Sequence, residues 1–135
     1  MTSTNYRNAF ISVSPDSKAV SGLAPPKAGS IAALQHELLT ARPYALTSDD
    51  LLFEVHARRQ GLEDADRAAE RERFFAKSHA CLRASPLVKQ FGWGLHHDEA
   101  GRIAAVSVES EAYRDLSERT DLKQVAGMRS RRGGA

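Results

Sequence analysis

A single cysteine, Cys81, in 135 residues excludes an intramolecular disulfide. The stapled frameworks of small secreted domains are therefore ruled out, and stability has to come from packing. No run approaches the ~18 consecutive apolar residues of a membrane-spanning helix, and the polar start MTSTNYRNAF has neither the basic nor the apolar region of a signal peptide. The expected compartment is the cytoplasm, with no membrane partner. Charge of one sign is scarce as well: 19 Lys and Arg stand against 17 Asp and Glu, a formal +2. Interleaved over most of the length, that surplus is too small to imply a nucleic-acid partner. A glycine-rich phosphate loop, H-E-x-x-H, a nucleophile elbow and a dinucleotide fingerprint are all missing, and with them the motif-marked enzyme classes.

What is present is ordinary for a soluble globular chain, with 41% apolar and 27% charged residues, so general disorder and fibrous classes are disfavoured. The length fits one core. The expected organisation is a single domain over residues 1–128 and a flexible basic tail over 129–135, where Arg129, Arg131 and Arg132 precede two glycines.

Short-range signals divide the domain into elements. AFISVS (9–14) reads as a strand ended by Pro15 and Asp16, and a Pro-Pro loop follows. From Ser30, a suitable N-cap, Ile31, Leu34 and Leu38 recur at helical spacing until Pro43. In TSDDLLFEVHARRQG, Thr47 or Ser48 caps a second helix and Asp49 and Asp50 put negative charge at its positive end. Phe53 and Val55 also alternate as in a strand, but the cap and the length favour helix. Residues 63–77 form a highly charged third helix with Phe74 and Phe75 at its end. Ser85 and Pro86 suit the N-cap and first position of a short helical turn, SPLVKQF. WGLHH and RIAAVSV flank the turn DEAG as a hairpin, Ser110 caps a further helix, and Leu122, Val125 and Met128 mark a last apolar segment. Segregated strands and helices argue for an α+β fold: a small, mainly antiparallel sheet of the N-terminal strand and the C-terminal hairpin, packed by helices on one face.

NYRNAFISVSPD, PYALTSDDLLFEVHARR, RFFAKSHACLRASPLVKQFGWGLHHDEAGRIAAVSVES and MRSRR together resemble a small bacterial family of uncharacterised proteins, over nearly the whole chain. The combination of TSDD, CLRASPL and GWGLHH carries that resemblance. It implies a standalone cytoplasmic domain and brings no activity, ligand or catalytic residue with it.

The stretch 81–110 gathers the only cysteine, the only tryptophan and two of the five histidines. A nucleophilic Cys81 would need a thiolate, with His79, Arg83, Lys89 and His96 near in sequence; a small buried hydrophobe is the plainer reading. A metal held by His79, Cys81 and His96 or His97 fits no familiar zinc spacing, since neighbouring strand residues face opposite ways. No metal or cofactor is expected. An anion site is more economical. Arg83, Ser85 and Lys89 surround the start of SPLVKQF, where free N–H groups and the dipole favour a phosphate or carboxylate, and Trp93 between two glycines offers a wall, with His96 nearby. The leading expectation is thus a binding domain for a small anionic or peptide-like ligand at Arg83, Ser85, Lys89, Trp93 and His96. The alternatives are an enzyme centred on Cys81 or a histidine, and nucleic-acid contact by Arg58, Arg59 and the terminal arginines.

Overall fold

The computed structural model describes residues 3–130. Its elements run β1 (Ala9–Ser12), α1 (Ile31–Ala41), α2 (Ser48–Gln60), α3 (Asp64–Phe75), a 3-10 turn (Leu82–Ala84), α4 (Pro86–Lys89), β2 (Trp93–His97), β3 (Ile103–Ser107), α5 (Glu111–Glu118) and β4 (Lys123–Ala126). Side-chain caps start four of the helices, because the first turn of a helix has N–H groups with no partner inside it. Ser30 accepts from Ala33 N–H at α1, Ser85 from Leu87 N–H at α4 and Ser110 from Tyr113 N–H at α5. At α2 a reciprocal pair forms: Thr47 Oγ1 accepts from Asp50 N–H, and the Asp50 carboxylate accepts from Thr47 N–H, each at 3.2 Å.

Asp49 has a different use. Its carboxylate accepts from Ser3 Oγ, Thr4 N–H and Thr4 Oγ1, each at 2.8 Å, and so pins the segment before β1 onto the start of α2. Asn5 Oδ1 accepts from Asp49 N–H in return, at 2.9 Å.

The sheet has the order β3-β2-β1-β4, antiparallel except for the parallel pair β1/β4. The hairpin turns at 98–101. Asp98 Oδ1 accepts from Ala100 N–H and Arg102 N–H, and Gly101 sits at φ 81°, a conformation that costs a side-chain-bearing residue energy. The last apolar segment of the sequence contains β4, which pairs in parallel with β1.

Because side chains alternate across a strand, the register Ile11↔Leu95 and Phe10↔His96 separates two faces. Ile11, Leu95 and Ile103 enter the main core with Leu38 and Leu39 of α1, Leu51 and Val55 of α2, and Leu87 and Val88 of α4. The α+β class with a small, mainly antiparallel sheet is therefore as expected. The expectation of helices on one face needs a correction at α5, whose Tyr113 packs edge-on to Phe10 on the opposite face, ring centroids 5.1 Å apart. Gly94 permits that approach: a Cβ there would lie 2.7 Å from both rings.

A smaller cluster joins Phe53 and Ala57 of α2 to Phe75 of α3, so α2 is apolar on two sides. The charges of α3 are fixed rather than merely solvated. Arg67 pairs with Glu54, Arg71 with Asp50 at 2.9 Å, and both guanidinium groups lie over the Phe53 ring. Of the tail expected over 129–135, residues 131–135 lie outside the described residues.

Candidate functional site

The five residues singled out in the sequence do not meet. Arg83 donates from Nε to the Ala126 carbonyl at 2.7 Å, and its own carbonyl accepts from Met128 N–H at 2.8 Å, so it clamps the chain around β4. Ser85 is buried, accepts from Leu87 N–H and donates to Gln35 Oε1 at 2.6 Å. Lys89 borders a shallow recess of about 370 Å³ with Asp16, Lys18 and Ser130. Trp93 donates from Nε1 to the Leu23 carbonyl and packs on His36, with centroids 5.0 Å apart. His96 lies on the α5 face, its Nδ1 2.7 Å from Tyr44 Oη. Burial holds the His96 pKa below its usual value, and the Arg119 charge adds to this against Asp98 and Asp121.

Cys81 and His97 stand apart from these residues as well. Cys81 is half-buried and accepts from Tyr6 Oη at 3.4 Å. Burial, and then that bond to the thiol, push the Tyr6 pKa up. His97 is 0% exposed on the core face, with Nδ1 on the Leu95 carbonyl and, among the described residues, no partner for Nε2. Burial lowers its pKa to about 4. Among the described residues no group of three or more His, Cys, Asp or Glu is placed to hold a metal ion. Arg58, proposed for nucleic acid, pairs with Glu54 at 3.4 Å.

A different set converges. Between α1, α2 and the segment after α3 lies a cleft of about 270 Å³ with apolar walls from Ile31, Leu52, Val55, Phe74 and Ala80 and polar groups from Gln35, His56, Arg59 and His79. Apolar walls with a few converging polar groups are the usual makeup of a small-molecule site. Gln35 is only 2% exposed. Ser85 occupies its amide oxygen, which orients the amide, and among the described residues its nitrogen has no partner. Arg59 likewise has no carboxylate partner among the described residues.

The two imidazoles both contact Phe74, with ring centroids 4.7 Å (His56) and 3.8 Å (His79) from it. His56 Nε2 lies 3.2 Å from Glu70 Oε2, and His79 Nε2 lies 2.6 Å from the Phe74 carbonyl. The His56 bond, followed by that from Arg73, holds the Glu70 carboxyl below its usual pKa. His56, Phe74 and His79 also border a second recess of about 520 Å³, so the cleft opens on that side. A larger hollow of about 600 Å³ along α3 has only Arg71 and Glu72 as charged groups, and Arg71 is already bound to Asp50.

Gln35 and His56 are the polar residues of the cleft that sequence reasoning missed, although for Gln35 a signal was there. Ile31, Leu34, Gln35 and Leu38 lie on one helical stripe, and an amide among apolar residues on a buried face asks for a partner.

Fold and cleft together give an α+β chain with a small cleft lined by both apolar and polar side chains beside a helix pair. The chain belongs to a family of unknown function (DUF6157), whose model matches residues 1–133. No curated protein and no solved structure matches it. Among the described residues no helix is long and apolar enough to cross a membrane.

Proposed function

We propose that this chain is a binding domain for a small organic anion, seated in the cleft between α1, α2 and the segment after α3. The observation that carries the reading is Gln35, a buried amide whose oxygen is held by Ser85 and whose nitrogen is left to donate at the cleft. An N–H donor beside an unpaired guanidinium suits a carboxylate, which accepts through both oxygens. Ile31, Leu52 and Val55 then receive the apolar body of the ligand. The ligand class matches the one expected from the sequence, but the receptor differs. Ser85 takes part by orienting Gln35, whereas Arg83, Lys89, Trp93 and His96 have other partners or surroundings.

Thermal unfolding with a panel of small aliphatic carboxylates tests this. A ligand at one hundred times its Kd stabilises by about 2.7 kcal/mol, which raises Tm by several degrees. Arg59→Gln should lose most of that rise while keeping the Tm of the free protein, because Arg59 is exposed and forms no ion pair. A panel without any shift, or a shift indifferent to Arg59→Gln, counts against the reading.

A further inference from the structure

The cleft offers acceptors as well as donors, and their arrangement narrows the ligand. His56 Nε2 faces a carboxylate and His79 Nε2 a backbone carbonyl, neither of which can donate. Each Nε2 must therefore carry the proton, and in a neutral imidazole that leaves Nδ1 as a bare acceptor. Neither Nδ1 has a partner among the described residues. Neither is sealed from solvent, since the one imidazole nitrogen buried without a partner is Nε2 of His97. Both rings border the same cleft as Gln35 and Arg59. Two imidazoles, each with an acceptor nitrogen, thus line one small cavity together with Gln35 and Arg59, whose N–H groups donate to oxygen, and the Glu70 carboxylate bonded to His56 adds negative charge beside that ring.

We infer that the ligand is a free α-amino acid with an apolar side chain, a deeper reading that rests on the carboxylate site proposed above. Its carboxylate meets Gln35 and Arg59. Its ammonium, with three N–H donors, meets the Nδ1 atoms of His56 and His79. Its side chain lies on Leu52 and Val55. The volume of about 270 Å³ is enough for one such molecule.

Isothermal titration of the whole protein with L-leucine, N-acetyl-L-leucine, 4-methylpentanoate and 3-methylbutylamine separates the parts. L-leucine is expected to bind at least tenfold more tightly than each of the other three, because each lacks the ammonium or the carboxylate. In His79→Phe, which keeps a ring against Phe74 but removes an acceptor, the advantage of L-leucine over 4-methylpentanoate should shrink severalfold, with 4-methylpentanoate itself little changed. If 4-methylpentanoate or N-acetyl-L-leucine binds as well as L-leucine, the amino-acid inference is overturned and the carboxylate reading stands. Tighter binding of 3-methylbutylamine than of either carboxylate, or no binding by any of the four, overturns both.

Discussion

His97 is enclosed on the core face of β2, bonded through Nδ1 to Leu95 of its own strand and edge-on to the Tyr6 ring at 5.4 Å. An imidazole so placed resists protonation, and its pKa falls from 6.5 to about 4. Unfolding returns it to the ordinary value, so between these two limits the unfolded chain binds more protons. Its contribution to stability is complete above pH 6.5 and disappears as the pH falls toward 4. The total is about 3 kcal/mol at 1.36 kcal/mol per pH unit. Urea unfolding across that range should show the decline, and His97→Gln should flatten it. An equally steep decline in the variant would assign the acid sensitivity elsewhere. The pair HH was visible in the sequence and the alternation of a strand told that its members face opposite ways. What each would face depends on α5 and on Tyr6, neither of which is near in sequence.

At the level of elements, α2 shows both what local pattern can convey and where it misleads. TSDD announced a helix start, and the capping pair Thr47–Asp50 is there. Yet Leu51, Phe53, Val55 and Ala57 are all buried, an every-second-residue pattern that imitates a strand. It arises because the helix lies between two apolar clusters and buries opposite sides of itself. β4 was hidden for the converse reason: of Lys123–Ala126 only Val125 is partly buried, so the segment is a strand by backbone pairing with β1 and hardly by side-chain pattern. The Asp49 tether was equally hidden, because a carboxylate in a first turn is already accounted for by the dipole. Thr47→Ala should cost about 1 kcal/mol, the usual value of an N-cap. Asp49→Ala should cost more, about 2–3 kcal/mol, since it removes charge-assisted bonds to Ser3 and Thr4. Denaturant unfolding of the two variants gives the order, and the reverse order would mean that the tether contributes little.

Across the whole molecule the sheet joins distant parts of the chain. β1 lies between β2 and β4, Ser14 Oγ donates to the carbonyl of Met128, 114 positions away, and Arg83 holds the end of β4 by one bond from its side chain and one to its carbonyl. Arg83→Ala should therefore speed amide exchange at Gly127 and Met128 and leave α1 and α2 unchanged; uniform acceleration would show that the clamp stabilises the entire fold. The fold class was legible because caps, turns and apolar stripes are local. The cleft was not legible: Arg59 and His79 stand out in the sequence only for other roles, and Gln35, His56, Arg59 and His79 come from three separate segments that the packing of α1, α2 and α3 brings together. The central position of β1 also has a consequence for biosynthesis. A strand made long before β4 waits, with one edge unpaired, until β4 has emerged, and unpaired strand edges are where chains adhere to one another. Translation that stalls before Lys123 would leave a nascent chain with a helical core able to form and an open β1 edge, a species prone to aggregation and suited to capture by chaperones.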